Sequence, residues 1–280
     1  LSFIHSFGAT GRQVSRVGLG GEGVLRTFGR TRDAQAVILE ALSCGITYFD
    51  SARAYAGSEG YYGSLWLDRP KQAAQVFKAS KSASRDRAGA LVDLDQSLTM
   101  MGLQSLDLWQ IHDIRTKEDL LQIEANGGAL EAFLHAREVG LVGAIGATAH
   151  QDPQILTYAA TNWDIDSVLM PVNPVEGVLG GFLDSTLEAA TSRGIAIVGM
   201  KALGASHYIN TKDGVTPAAL IRFSLSQEID VLTVGCSTPQ EVRTLADAGK
   251  GFKKMPLDEQ HDLLDIFRPY ARRLAFYRGH

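Results

Sequence analysis

Ile46-Thr-Tyr-Phe-Asp50-Ser-Ala-Arg-Ala-Tyr55 is an apolar run that ends on a carboxylate and opens into a loop carrying a phenol. Two later runs end in the same manner, Val76-Phe-Lys-Ala-Ser-Lys81 on a lysine and Leu106-Asp-Leu-Trp-Gln-Ile-His112 on a histidine. Short runs of β-branched and aromatic residues closed by polar ones read as strands. Successive strands that deliver Asp, Lys and His at their carboxyl ends gather chemistry on one face, as the carboxyl-terminal rim of a parallel α/β barrel does. Outward from this stretch, further β-rich runs end near Gly20, Thr148, Pro171, Lys201 and Cys236. Most intervals between run ends are about 30 residues, the length of one strand–helix–strand unit. Amphipathic stretches over residues 34–43, 87–101, 128–139 and 182–192 fill the gaps, with Gly45, Gly102, Gly140 and Gly194 placed as helix stops. Pro217 suits the first turn of a helix over residues 217–226.

Eight strands alternating with helices predict an α/β fold, a (β/α)8 TIM barrel over about residues 17–250. An open doubly wound sheet is the alternative that alternation alone leaves standing. Residues 6–17, with Thr10-Gly11 at their centre, predict a short N-terminal hairpin that plugs the barrel floor. Residues 251–280 predict a helical C-terminal tail, with Pro256-Leu-Asp-Glu as a helix start. Residues 1–280 are expected to form one domain.

Composition narrows the function classes. At 280 residues and 45% hydrophobic, the chain can bury a large core. A net charge of -4 gives no basic field, so neither nucleic acid nor a membrane surface is an expected partner. No apolar run approaches the roughly 18–20 residues that cross a bilayer, and residues 1–5 do not read as a signal sequence. A cytoplasmic location is expected. Residue 1 is Leu, which leaves room for a preceding segment. Cys44 and Cys236 are too few for a disulfide framework or a four-cysteine iron–sulfur cluster. His5, His135, His150, His207, His261 and His280 show no metal-ligand spacing, and no metal is expected. Gly18-Leu-Gly20-Gly-Glu-Gly23 satisfies a dinucleotide fingerprint, but residues 24–31 intervene before any helix pattern, so a first strand–helix loop is the better reading.

Taken together, Gly45-Ile-Thr-Tyr-Phe-Asp50-Ser-Ala-Arg-Ala-Tyr55, Gly57-Ser-Glu59, Lys78-Ala-Ser-Lys81, Leu106-Asp-Leu-Trp-Gln-Ile-His112 and Gly140-Leu-Val-Gly-Ala-Ile-Gly146 resemble the signatures of the aldo-keto reductase superfamily, over roughly residues 3–250. The order and spacing carry the resemblance, since each segment alone is a weak match. It implies a (β/α)8 fold, a nicotinamide cofactor held without a Rossmann domain, and a catalytic tetrad of Asp50, Tyr55, Lys81 and His112. Each residue alone has an ordinary reading: a helix-capping Asp, a solvated Lys, a structural His. Together they suit carbonyl reduction. Hydride arriving at a carbonyl carbon leaves an alkoxide that needs a proton, and a phenol with a pKa of about 10 is a weak donor unless its anion is stabilised. Lys81 is expected to lower the Tyr55 pKa, Asp50 to hold Lys81, and His112 to orient the substrate oxygen.

The resemblance also implies cofactor contacts at Gly20, Gly21 and Asp50 and, on later strands, at Thr148, Asn173, Met200, Lys201 and Leu203. Here the chain departs from the family. Thr148-Ala149 stands where many relatives have Ser-Asn, a Gln is missing from the sixth strand, and Met200 replaces a stacking aromatic. Methionine can still offer a polarisable surface, or it is simply core. The eighth strand and its loop contribute Gly235, Cys236, Ser237, Gln240 and Glu241. Where some relatives place Lys and Arg against a 2′-phosphate, Gly235 and Glu241 stand here. Glu241 would repel that phosphate or only support a helix start, and Arg243 could swing in, so NADP(H) or NAD(H) stays open. For the substrate, a small aldehyde, ketone or sugar, the candidate pocket is Glu22, Leu25, Tyr55, Tyr62, His112, His207 and Tyr208, although its aromatics read equally as helix-packing residues. A different class of function, a redox-sensing regulatory subunit that holds nicotinamide cofactor with little turnover, fits the same tetrad. Substrate identity, direction and oligomeric state are not readable from the sequence.

Overall fold

A computed structural model of the chain describes residues 2–278. Strands β1 (Ile4–Ser6) and β2 (Gln13–Ser15) form an antiparallel hairpin in which His5 faces Val14. The predicted hairpin is there, and its first strand begins two residues earlier than expected. Phe7, at the start of the turn, is fully buried and packs 5.0 Å from the Phe77 ring and 5.9 Å from Tyr48. Those two residues line the barrel interior, so the hairpin closes the floor as predicted.

Eight parallel strands follow: β3 (Val17–Gly23), β4 (Tyr48–Asp50), β5 (Phe77–Ser82), β6 (Leu108–Ile111), β7 (Ile145–Thr148), β8 (Ser167–Pro171), β9 (Ala196–Met200) and β10 (Val231–Cys236). Each pairs with its sequence neighbour, and β10 pairs back onto β3. The closed ring removes the open-sheet alternative. Every strand but the first ends within one residue of its predicted end. β3 runs on to Gly23 because β10 bulges between Gly235 and Cys236 and brings Cys236 opposite Gly23. This close approach needs glycine. At Gly23, with φ +68°, a Cβ would lie 2.5 Å from the Cys236 carbonyl oxygen.

The core has two layers and an annex. Tyr48, Phe77, Leu108, Leu169, Val198 and Val231 fill the barrel interior with Phe7 and Val14. The outward faces of the strands meet the surrounding helices. The annex lies over the helices Pro174–Leu179 and Pro217–Leu225, where the tail helices Leu257–Phe267 and Ala271–Leu274 bury Leu263, Phe267 and Ala271. The predicted helical tail is therefore docked. Among the described residues no helix is long and apolar enough to cross a membrane.

Helix Ser58–Asp68 had no expectation, because buried residues surround it on nearly every side and erase the helical period. It packs so closely on the helix Arg87–Met101 that a Cβ at Gly63 would lie 1.9 Å from the Met100 carbonyl oxygen. Backbone cannot yield there as a side-chain tip can. Gly63→Ala is therefore expected to destabilise the fold at the upper end of the roughly 1–3 kcal/mol of overpacking, measured as a lowered urea midpoint at constant m.

Candidate active site

The end of β4 and the end of β5 bring Asp50 and Lys81 together. Lys81 Nζ donates to Asp50 Oδ2 at 2.6 Å and to the Ser51 carbonyl at 2.8 Å. Both side chains are buried. Tyr55 stands in the turn between β4 and helix Ser58–Asp68, where its amide donates to the Ala52 carbonyl and its own carbonyl accepts from Ser58. Lys81 Nζ lies 4.9 Å from the centroid of the Tyr55 ring, and the His112 ring meets it edge-on at 5.5 Å and 84°. Gly21 makes room, since a Cβ there would lie 2.6 Å from the Tyr55 ring. His112 is fixed through its backbone, donating to the Ser82 carbonyl at 2.8 Å and accepting from Arg85 at 2.9 Å. The three strand-end residues and Tyr55 from the following turn thus converge at the carboxyl end of the barrel.

The electrostatics differ from expectation in one respect. Burial first, then the carboxylates of Asp50 and Glu22, push the Tyr55 phenol well above its usual 10, while Arg26 opposes them. Lys81 sits over the ring with its charge engaged by Asp50 at 2.6 Å, so this arrangement keeps Tyr55 protonated rather than lowering its pKa. The Asp50 carboxyl is raised by burial, against the lowering effect of Lys81. Burial and the nearby Lys81 charge draw His112 from its usual 6.5 down to about 3, so the ring is neutral and presents one N–H. Between those values the unfolded chain binds a proton that the folded chain does not. The stability contributed by His112 is therefore present above pH 6.5 and is lost as pH falls toward about 3. His112→Gln is expected to lose less stability on acidification than its parent, read as a shallower slope of unfolding free energy against pH.

Residues expected around the tetrad divide. Glu22 is exposed at the rim and accepts from Arg26 at 2.7 Å. Leu25 and Tyr62 are not in a pocket: both are fully buried in the outer core, with Tyr62 stacked on Trp66 and edge-on to Phe49. Tyr208 is buried beneath the tail, edge-on to Phe267, and donates to the Leu274 carbonyl. His207 is exposed beside Phe276. Helix register and tail docking decided these places, and proximity to Tyr55 in sequence carries neither.

The cofactor candidates divide as well. Gly20 and Gly235 face each other across β3 and β10, where a Cβ on Gly235 would lie 2.6 Å from Glu22, so strand packing accounts for both glycines. Thr148 Oγ1 accepts the Asp113 amide at 2.7 Å, leaving its own hydrogen to give. Asn173 is fully engaged: Oδ1 caps Glu176, and Nδ2 donates to the Lys201 carbonyl and to Tyr277 Oη. Met200 is partly exposed at the end of β9 and packs on the interior core. Lys201 and Leu203 follow it, and Cys236 is buried, its thiol pushed up to about 12 by burial. Thr238 caps the helix Pro239–Lys250, and Glu241 Oε2 accepts the Ser237 amide at 2.6 Å. Arg243 is held by Gln240 and by Glu40 at 3.1 Å.

Four residues of this rim had no sequence expectation. Arg26 lies 5.1 Å from the Tyr55 ring centroid. Asp113, in the left-handed region at φ 53°, joins His150 Nε2 at 2.9 Å and Arg115 Nε at 2.7 Å. Burial pushes its carboxyl up, but these two partners outweigh that and hold it well below the usual range. Tyr277 and Arg278 come from the tail and bind the fully buried Glu176, Tyr277 Oη at 2.8 Å and Arg278 Nε at 3.1 Å. Nothing local in the sequence signals a contact 101 positions away.

A barrel of this closure, with Asp, Lys and His delivered by consecutive strands around one Tyr, defines a member of a known enzyme class. The chain belongs to the aldo/keto reductase family, whose model matches residues 16–250. Its fold is that of solved aldo-keto reductases. It is similar to aldo-keto reductase AKR11C1 from Bacillus halodurans in its holo form, at 16% identity and a TM-score of 0.76, over 100% of this chain and 98% of that one. MGS-M4, an aldo-keto reductase enzyme from a Medee basin deep-sea metagenome library, matches at 19% identity and a TM-score of 0.72, over 93% and 94% of the two chains. No curated protein matches the sequence.

Proposed function

We propose that the chain is a carbonyl reductase dependent on NADP(H) or NAD(H), with Tyr55 as the group that exchanges a proton with the substrate oxygen. The convergence of Lys81 and His112 on the Tyr55 ring is the observation that carries this reading. A reduced nicotinamide supplies the hydride when bound. The phenol, kept protonated by its surroundings, is in the form that carbonyl reduction requires. Neutral His112 donates one N–H toward the carbonyl oxygen and fixes the face presented to Tyr55. Asp50 holds the Lys81 ammonium in place beside the Tyr55 ring.

The rim suits a dinucleotide in part. Met200 can lie against a flat ring, Thr148 has a hydroxyl hydrogen to give to an amide, and the Lys201 ammonium can meet a phosphate. Asn173 does not suit it, since both ends of its amide are engaged. Glu241 occupies the Ser237 amide, which otherwise faces any phosphate at this helix start.

Calorimetric titration with NADPH and NADH, followed by a carbonyl and sugar screen that monitors oxidation of the reduced nicotinamide, tests the proposal. Binding of either dinucleotide with carbonyl-dependent turnover supports it. Failure of both to bind sinks it. Tight binding with slow release and no turnover points instead to a redox-sensing subunit.

A further inference from the structure

Several cations around the barrel mouth are matched to carboxylates. Lys81 pairs with Asp50, Arg26 with Glu22, Arg53 with Glu59, Arg115 with Asp113 and Arg278 with Glu176. Lys201 pairs with no carboxylate among the described residues, and its ammonium stands 5.5 Å from the centroid of the Tyr277 ring. The residue is nonetheless half-buried, and its backbone is in the left-handed region at φ 60°. Strain of this kind in a non-glycine residue persists where the surroundings hold it, and it concentrates at functional sites. Burial weakens the hold of Lys201 on its proton, while Glu22 and Asp113 strengthen it. Arg26 follows β3 and Lys201 follows β9, the two strands that flank β10 in the closed ring, so both cations stand at the carboxyl rim that carries the tetrad.

Arg26 is available to a ligand. It stands 5.1 Å from the Tyr55 ring centroid, and its backbone is set by the buried Val24 and Leu25 and by the Thr27 hydroxyl bond to the Val24 carbonyl. Its partner Glu22 is about as exposed as it is, at 49% and 48%. An exposed pair of this kind contributes little net stability, so Glu22 is readily exchanged for a ligand oxyanion. A guanidinium offers a two-pronged match to a carboxylate or phosphate, and the unpaired ammonium adds a second charge.

We propose that Arg26 and Lys201 form an oxyanion subsite beside the reacting carbonyl, so that the preferred substrate is a small carbonyl compound bearing a carboxylate or phosphate. This rests on the reductase reading. The pyrophosphate of the dinucleotide has the same chemistry and is the competing source, because the family resemblance places Lys201 beside the cofactor.

The test has a binding arm and a kinetic arm. The purified chain is titrated calorimetrically with inorganic phosphate and with succinate. Rates are then compared for glyceraldehyde phosphate against glyceraldehyde and for succinic semialdehyde against butanal. The parent is expected to bind the anions and to favour the charged member of each pair by about tenfold or more in kcat/KM. Lys201→Met and Arg26→Met each lose anion binding and that preference, and Lys201→Arg restores both. Preference and anion binding equal to the parent in both Met variants overturn the subsite. A dinucleotide Kd weakened about tenfold in Lys201→Met with the preference intact gives the ammonium to the cofactor and overturns the substrate assignment. If the parent binds dinucleotide but turns over neither member of either pair nor any compound of the wider carbonyl and sugar screen, the reductase reading fails by itself. The calorimetric arm then judges the subsite: anion binding lost in the Met variants upholds it, and binding equal to the parent overturns it.

Discussion

Replacement of Tyr55 by Phe is expected to lower kcat for carbonyl reduction by about 10²–10⁴-fold, the range for loss of a positioned proton donor, with dinucleotide affinity unchanged. The substitution is narrow because the structure separates the ring from its hydroxyl. The ring carries the contacts, with Lys81 at 4.9 Å and Arg26 at 5.1 Å from its centroid and His112 edge-on. Phenylalanine keeps that aromatic surface and removes the proton donor alone. Single-turnover rates with dinucleotide prebound separate chemistry from binding. A kcat near the parental value, with dinucleotide affinity intact, would take the proton-transfer role from Tyr55 and leave water or His112 as the donor. A parallel loss of dinucleotide affinity would instead show that the hydroxyl supports the rim.

The strand ends of the barrel were legible because each is a short apolar run stopped by a polar residue, a local signal. Gly45, Gly102, Gly140 and Gly194 were legible as helix stops for a similar reason, and each has the positive φ that ends a helix in the left-handed region. The tetrad followed from strand ends and family spacing together. Illegible were the contacts made by elements distant in sequence. Tyr62 follows Tyr55 by seven residues, yet the helix that carries it turns its ring onto Phe49 and Trp66. Asn173 matches a family position, but Tyr277, brought in by the tail, engages its amide. Arg26 has no motif, and its standing comes from a turn that points it at a ring 29 residues away.

Lys81→Met is expected to cost about 3–5 kcal/mol of stability and to abolish turnover, because it leaves the buried Asp50 carboxylate without its cation. Asp50 and Lys81 are 4% and 1% exposed, so water cannot replace the lost partner. The linear side chain of methionine keeps most of the lysine volume, which confines the loss to the charge and its bonds to Asp50 and the Ser51 carbonyl. The sign of the pH dependence follows. Burial already raises the folded-state pKa of Asp50 and Lys81 lowers it, so removing Lys81 raises it further. A carboxyl raised in the folded state takes up its proton more readily there than in the unfolded chain. Its favourable contribution is present below the unfolded pKa and is lost as pH rises through the folded one. The deficit of Lys81→Met relative to the parent is therefore largest at neutral pH and shrinks on acidification. Adding Asp50→Asn to Lys81→Met removes the stranded charge and should recover part of the loss. Urea unfolding of the parent, both single variants and the double variant across pH measures all of this. A double variant no more stable than Lys81→Met, with a deficit that does not vary with pH, would assign the cost to packing and take electrostatic support of Lys81 away from Asp50.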